Sequence, residues 1–455
     1  FINFFLKEEV IRKENKGRPI ETKFTGKNIL IEHSSPNLFK PFHIGHLMNN
    51  IIGTFIANAI KVGGGKVSEM SFPSDVSLGI AKAMVILFED SKKGIDFRTK
   101  NKEDQIAYFG ETYVRGVAYF DEHLEELEKA KEMAHIIFDD TSDTEEYRLF
   151  SEVKELNIEY FTSIINGLGS HIDPKSGIIF ESTAGQRGVK IVKENIGPGK
   201  VFMESEGAIV YIPNEERKDL HTAVFINSEG YPTYGAKDLG LIDQKFEKYS
   251  PDISFTITDG EQTSHFKIVF DAASKLGGDW KEKVEKSMHV PHGRMLFKGQ
   301  KMSSRLGGVP LALQVIKVVE DEVKERASEK ITHLNEGEKE KLVREIALSS
   351  LRIAVLRSKP GININFDPES SLSFEGDSGP YLLYTHARTA SLLEKGKDSI
   401  PAWNDSPITA LERELIHFEK ILEETINDLS PQKLVTYLFK VAQSFNGYYL
   451  SLIHI

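Results

Sequence analysis

The sequence predicts an α/β domain built on a parallel sheet, interrupted by a helical insertion and followed by an all-helical region. Short apolar runs alternate with amphipathic helical patterns over residues 23–90 and 176–310, as expected when helices connect the strands of one sheet. Polar clusters follow several of these runs, at the strand-to-helix switches where open α/β sheets bind ligands. Residues 311–455 show helical periodicity alone.

The first apolar run, residues 27–31, predicts a strand, and a helix is expected over residues 45–62. Apolar side chains recur along that helix at every fourth position, at Leu47, Ile51, Phe55 and Ala59. The glycines at 63–65 end the helix. A second strand over residues 67–72 then leads to a helix that ends near residue 88, so this part of the chain is a βαβα unit.

Residues 91–175 are polar and rich in helical pattern, and we expect a helical insertion with solvated faces there. Four apolar runs in the region that follows predict strands, at residues 178–180, 201–212 (with breaks at glycine and serine), 222–226 and 253–258. Polar clusters at residues 231–240 and 259–262 open helices after two of them. The remaining helices are expected at about residues 311–328, 337–357, 379–396, 408–427 and 431–447.

The composition is ordinary for a globular protein and excludes several classes. The 455 residues are 40% hydrophobic and 27% charged, enough chain for about three domains. Cysteine is absent, which excludes disulfides and thiolate zinc sites and fits a reducing cytoplasm. No apolar run is long enough to cross a bilayer. The net charge of −11 argues against a general electrostatic attraction to nucleic acid, so any RNA contact requires local basic patches.

Residues 32–46 form the most informative loop, because they join the first strand to the first long helix. The free N–H groups and dipole of a helix start favour phosphate. His43, His46 and Lys40 add donors suited to a triphosphate, and Gly45 allows a ligand to approach the backbone. Two surface histidines that cap a helix would give the same pattern, so this motif alone leaves both interpretations open.

A second basic motif, Lys-Met-Ser-Ser-Arg at residues 301–305, lies far downstream between Gly299 and the glycines at 307–308. Together the two motifs resemble the His-Ile-Gly-His and Lys-Met-Ser-Lys-Ser signatures of class I aminoacyl-tRNA synthetases. The wider wording Ser-Ser-Pro-Asn-x-x-Lys-Pro-x-His-x-Gly-His, which begins at Ser34, is similar to that of arginyl-tRNA synthetases. The chain departs from the class pattern where Ser304 replaces the second lysine and Arg305 follows.

The resemblance implies a domain order. Residues 1–22 would be the remnant of an N-terminal tRNA-contacting domain, and residues 23–310 a Rossmann-type catalytic domain with an insertion at about 91–175. Residues 311–455 would be an incomplete helical-bundle region that contacts the tRNA stem and binds the anticodon. The wording of residues 379–388 and 445–449 also resembles that region. We therefore expect a chain truncated at both ends.

The resemblance also implies the activity, which is ATP-dependent ligation of L-arginine to its tRNA through an arginyl adenylate. ATP would enter with Mg²⁺, and we expect no zinc and no metal ligands from the protein. The expected partners are tRNA, L-arginine and ATP, without a membrane, for a cytoplasmic monomer. Because a site built for guanidinium rejects lysine, no editing site is expected.

The site residues follow from the same resemblance. The expected catalytic residues are His43, His46 and Lys301, and Lys40 is our hypothesis for the cation that replaces the missing lysine. The residues expected to bind ATP are His43, Gly45, His46, Met295, Lys301, Ser303 and Ser304. The residues expected to bind arginine are Glu32, Ser34, Asn37, Tyr234, Asp238 and Gln262. Asp238 and Glu32 would hold the guanidinium, whose planar donors suit carboxylates, and Asn37 and Gln262 would lie near the amino and carboxylate end.

Structural roles remain open for several of these residues. Lys301 could be a surface lysine, Met295 a buried strand methionine and Asp238 a helix cap. Tyr234 could be a core aromatic and Gln262 a solvated side chain. Two other functions also remain open: a nucleotidylyltransferase, which shares the His-x-Gly-His motif, and a non-catalytic tRNA-binding relative or inert fragment.

Overall fold

The computed structural model describes residues 7–8, 10–11, 20–139, 143–297, 311–328, 331–373, 376–397 and 407–453. Its strands are β1 (Asn28–Glu32), β2 (Lys66–Met70), β3 (Phe202–Ser205), β4 (Ala208–Tyr211), β5 (Ala223–Ile226), β6 (Ile253–Asp259), β7 (Ser287–His292), β8 (Met295–Phe297) and β9 (Ile364–Phe366).

The helices of the first two thirds of the chain are α1 (Ile44–Val62), α2 (Leu78–Lys92), α3 (Lys102–Glu122), α4 (Leu127–Phe138), α5 (Glu145–Gly167), α6 (Glu181–Glu194), α7 (Tyr234–Tyr249), α8 (Thr263–Ser274) and α9 (Trp280–Glu285). Those that follow are α10 (Ala312–Ala327), α11 (Glu336–Leu356), α12 (Pro368–Ser371), α13 (Gly379–Gly396), α14 (Ala410–Leu415), α15 (Phe418–Asp428) and α16 (Pro431–Ile453). The predicted class, a sheet domain with a helical insertion and then helices, is confirmed.

The chain divides into two compact units. One, the sheet unit, comprises Asn28–Gly53 and Val67–Pro291. The other, the helical unit, comprises Phe1–Lys27, Thr54–Lys66 and His292–Ile455.

The central sheet has four strands in the order β2-β1-β6-β7. β1 and β6 are parallel neighbours, with Glu32 opposite Thr256. The chain leaves β1 toward β2 on one side and leaves β6 toward β7 on the other. The carboxyl ends of β1 and β6 therefore flank a topological switch point, where open α/β sheets bind ligands.

The apolar patterns explain these elements. Ile29, Leu30 and Ile31 of β1 are at most 2% exposed, as expected for a strand covered on both faces. α1 follows with Leu47 and Ile51 buried, and Gly64, at φ +81°, terminates it in the left-handed region. The predicted helix 45–62 and strand 253–258 thus agree with the structure to within a residue or two.

The strand predicted over residues 178–180 is wrong. Ile178 forms only an isolated bridge to Ser71, and α6, which the sequence analysis did not assign, begins at Glu181. α6 packs against α7 at very close range. A β-carbon on Gly188 would lie 1.8 Å from the carbonyl oxygen of Ala236, so the helix pair requires glycine at that contact.

The predicted helical insertion consists of α3, α4 and α5 with two short 3₁₀ turns, Phe97–Thr99 and Leu124–Glu126. After it, the predicted strand region 201–212 is the hairpin β3–β4, to which β5 adds as a third antiparallel strand.

In the helical unit, α11 packs against α10 and α13, and α16 packs against α13, α14 and α15. The predicted helix 408–427 is two helices, α14 and α15. The backbone N–H of Lys23 donates to the side chain of Asn427 (3.0 Å), which attaches the N-terminal segment of this unit to its helices.

Candidate active site

The loop between β1 and α1, residues 33–43, is called the signature loop from here on. Two of its non-glycine residues, Ser34 and Phe39, have left-handed backbone angles, with φ of 56° and 65°. Such conformations are strained in residues with a β-carbon and persist where the surroundings enforce them. The insertion supplies part of that support, since the ring of Phe39 packs against Phe109 of α3 at 6.0 Å.

His43 and His46 stack on one another at the start of α1, with ring centroids 3.7 Å apart. The N–H of Gly45 donates to Nδ1 of His43 (3.1 Å), and the N–H of His43 donates to Nδ1 of His46 (3.2 Å). Both Nδ1 atoms are thus acceptors, so the neutral rings carry their protons on Nε2. Burial lowers the pKa of His43, and the charge of Lys40 lowers it further. The pair therefore offers neutral Nε2–H donors at a helix start.

Lys40 is exposed, and its ammonium lies 5.2 Å from the centre of the Tyr113 ring on α3. Its positive charge contributes to the lowered pKa of His43. An ammonium near these donors is available to an anionic ligand.

Two residues expected to bind arginine are buried: Glu32 at the end of β1 and Ser34 in the signature loop. The carboxylate of Glu32, 3% exposed, accepts hydrogen bonds from the ammonium of Lys245 and from the hydroxyl of Thr256. Ser34 is fully buried, and its hydroxyl accepts from Asn50 (3.1 Å). Asn37, by contrast, is exposed on the loop.

The other arginine candidates converge at the starts of α7 and α8. Tyr234 and Asp238 lie one turn apart on α7, and Tyr234 is 71% exposed. The carboxylate of Asp238 contacts Nε2 of His265 (2.5 Å), on α8. Gln262 caps the start of α8 three residues before His265 and is exposed. The sequence analysis missed His265, although its spacing from Gln262 on a predicted helix was a usable signal.

A buried relay links the signature loop to α7. Ser74 pairs with the loop through its backbone, since its N–H donates to the carbonyl of Pro36 and its carbonyl accepts from Leu38, both at 2.9 Å. The Ser74 hydroxyl donates to Glu181 (2.9 Å), which also accepts from the ammonium of Lys237 (2.6 Å). Burial raises the pKa of Glu181, and Lys237 opposes the shift.

Lys237 directly precedes Asp238 on α7. The relay therefore fixes the signature loop, on which Asn37 is exposed, relative to the start of α7. Nothing in the local sequence around Glu181 indicated this role.

Most of the expected site residues thus belong to the sheet unit, among them His43, His46, Lys40, Asn37, Tyr234, Asp238 and Gln262. Met295 lies in the helical unit, on β8, where it is 6% exposed and pairs with Ile364. The expected residues Lys301, Ser303 and Ser304, with Arg305, lie outside the residues that the structure describes.

Neither a metal centre nor a membrane span is found in the described part of the chain. No group of three or more histidine or acidic side chains there could hold a metal ion. None of its helices combines the length and apolarity needed to cross a bilayer.

Two family models match the chain. The catalytic domain of class I tRNA synthetases (R) matches residues 8–367, and the DALR anticodon binding domain matches residues 382–453. Together they cover both the sheet unit and most of the helices that follow it.

Among curated relatives, the chain is 29% identical to an arginine–tRNA ligase of Exiguobacterium sibiricum, over 99% of this chain and 79% of that protein. It is 30% identical to the arginine–tRNA ligase of Borreliella burgdorferi, over 93% of this chain and 73% of that protein. Among solved structures, the arginyl-tRNA synthetase of Thermus thermophilus aligns with a TM-score of 0.78 at 24% identity, over 98% and 78% of the two chains. The arginyl-tRNA synthetase of Plasmodium falciparum aligns with a TM-score of 0.74 at 18% identity, over 99% of this chain and 77% of that one. Both structures support the fold.

Proposed function

We propose, since the chain belongs to the class I tRNA synthetases of the arginine type, that it joins L-arginine to its tRNA using ATP. In the first step a carboxylate oxygen of arginine attacks the α-phosphorus of ATP, and pyrophosphate leaves. In the second step a ribose hydroxyl at the 3′ end of tRNA attacks the adenylate carbonyl, and AMP leaves. Negative charge grows on phosphate oxygens in the first step, so oriented donors are the main requirement.

The proposal is supported by two groups of polar side chains in the sheet unit, one at the start of α1 and one near the start of α7. Stacked, neutral imidazoles offer Nε2–H donors at the start of α1, and a carboxylate held by histidine stands at the start of α7. The buried relay through Ser74 and Glu181 connects the signature loop, which leads into α1, to Lys237 on α7. A nucleotidylyltransferase would need the first subsite only, and the second favours an amino acid with a flat cation.

In the proposed site, His43 and His46 donate to the phosphates of ATP, and Gly45 leaves room for the nucleotide. Lys40 adds a positive charge near them. Lys301, with Ser303 and Ser304, remains our proposal for the group that binds the β and γ phosphates. Mg²⁺ would enter bound to the phosphates of ATP, as part of the substrate.

For arginine, Asp238 is proposed to accept the guanidinium donors and Tyr234 to cover its face. Asn37 and Gln262 would contact the amino and carboxylate end. Glu32 remains a proposed second carboxylate, and arginine would have to compete there with Lys245. Lysine cannot satisfy acceptors arranged for a planar fork of donors, so the site would discriminate without editing.

The helical unit is proposed to contact tRNA. The Arg388 guanidinium lies over the rings of Tyr384 and Tyr449, at 4.3 and 4.5 Å, and donates to Asn446 (2.7 Å). A cation on partly exposed aromatic rings suits a nucleic acid base or phosphate. The domain bounds predicted from sequence, a monomeric state and a cytoplasmic location remain proposals.

The test is a charging assay with the purified chain, tRNA from cells, ATP and labelled arginine. We expect charging with arginine and none with lysine. The D238N variant should lose charging, whereas E247Q, which changes an exposed carboxylate on the same helix, should retain it. Charging absent from the unaltered chain, or equal in D238N and E247Q, would contradict the proposal.

A further inference from the structure

The helical insertion is connected by an ion pair to the segment 73–75, which follows β2 and pairs with the signature loop. Lys154, on α5, places its ammonium 2.5 Å from a carboxylate oxygen of Asp75. Asp75 is fully buried, while the Lys154 side chain is 21% exposed. The same carboxylate accepts from the backbone N–H and the hydroxyl of Ser182, at 2.9 and 2.6 Å. The insertion thus provides the cation for a carboxylate that water does not reach.

Asp75 directly follows Ser74, whose backbone forms the two hydrogen bonds to the signature loop. Those bonds, to Pro36 and from Leu38, flank Asn37 on both sides. A displacement of the segment 73–75 would therefore be transmitted to Asn37 through these two backbone hydrogen bonds of 2.9 Å. The path from the insertion to the loop is Lys154, Asp75, Ser74 and then Asn37.

Lys154 is also held in place by an aromatic ring, since its ammonium lies 3.6 Å from the centre of the Phe180 ring. Phe180 is the residue before α6. A lysine fixed by a carboxylate on one side and a ring on the other has little freedom to leave. Removing its ammonium would leave the buried Asp75 carboxylate without its cation and one donor short, which favours a shift of the segment 73–75.

We propose that Lys154 is a positioning residue for arginine binding, acting on Asn37 through Asp75 and the segment 73–75. This inference rests on the proposed function, because it concerns the same site. The insertion then has a role in the reaction without contacting substrate.

The test compares Lys154→Met with Lys102→Met. Lys102 lies in the same insertion and pairs with Glu159 at 3.2 Å, but both side chains are more than 60% exposed. We expect K154M to raise the KM for arginine by about tenfold or more, on the scale at which misplaced groups affect catalysis. K102M should leave it unchanged, and K154R, which keeps the cation, should restore most of the affinity. The KM for tRNA should not move.

A double variant, K154M/D75N, separates positioning from loss of folding. It removes the unpaired buried charge, so its melting temperature should recover relative to K154M. The tie to the insertion stays broken, so the KM for arginine should remain raised. Recovery of both quantities together would overturn the proposal, since Lys154 would then serve stability alone.

The failures of the two proposals are distinguishable. If the unaltered chain charges tRNA and K154M matches K102M in arginine KM, the role of Lys154 is refuted and the function stands. If the unaltered chain charges no tRNA, the proposed function fails, and the positioning role fails with it.

Discussion

The buried pair between Glu32 and Lys245 gives the sharpest stability prediction. The two side chains are 4% and 3% exposed, and they join the end of β1 to α7. The perturbation is Lys245→Met, which keeps the length and volume of the side chain and removes its charge. It leaves the Glu32 carboxylate buried with the Thr256 hydroxyl as its remaining hydrogen-bond donor among those described here.

The magnitude follows from desolvation. Removing one partner of a buried pair costs about 3–5 kcal/mol, because the other charge remains without compensation. For a unit of this size, each kcal/mol shifts the melting temperature by roughly 2–4 °C, so K245M should melt roughly 6–20 °C lower. The double variant E32Q/K245M has no buried charge and should recover most of the loss.

Thermal unfolding of the unaltered protein, K245M and E32Q/K245M, followed by circular dichroism and calorimetry, measures these differences in stability. An exposed pair serves as the control: Lys93→Met removes a partner of Glu89 in a pair whose side chains are 66% and 51% exposed and should change little. Equal melting temperatures of K245M and the unaltered protein would contradict this prediction. So would a melting temperature of E32Q/K245M as low as that of K245M. In the stable double variant we also expect a raised KM for arginine, and an unchanged KM would remove Glu32 from the proposed arginine site.

Three further predictions concern the site and the helix packing. Lys40→Ala should raise the activation barrier of arginine activation by about 2–4 kcal/mol, the scale of one lost oxyanion donor. Lys40→Arg should retain activity. Unchanged turnover in K40A would exclude a role of Lys40 in this step. The pKa of His43, followed by NMR, should lie below 6.5, so that the ring is neutral above that pKa and becomes charged as the pH falls through it. K40A should raise this pKa, and a value that stays the same would contradict the proximity of the two charges. Gly188→Ala should destabilise the protein by about 1–3 kcal/mol or more, because its β-carbon would collide with a carbonyl, whereas Gly167→Ala, which meets nothing within 4 Å, should not. Equal melting temperatures of these two variants would contradict the close packing of α6 and α7.

The strands and helices that sequence predicted well are those whose burial is written in the local pattern. β1 is a continuous apolar run, and α1 has its apolar side chains on one face. α6 was missed because most of its buried positions hold small residues, namely Ala184, Gly185 and Gly188. Glycine lowers helix propensity, and the reason for glycine there, contact with α7, lies elsewhere in the chain.

The candidate site divides in the same way. The motif residues His43 and His46 could be assigned to a helix start, and Asp238 to the helix that begins at Tyr234, from local sequence. The pairing of Glu32 with Lys245 spans 213 positions, and Glu181 reaches its partners across 107 and 56 positions. Such partners follow from the packing of distant elements, which no local pattern encodes.

A crystal structure with a non-hydrolysable arginyl-adenylate analogue would test the proposed site. We expect the guanidinium against the Asp238 carboxylate and the phosphate within hydrogen-bond distance of Nε2 of His43 or His46. An analogue bound with its guanidinium away from Asp238, or with its phosphate away from both histidines, would contradict the proposed site.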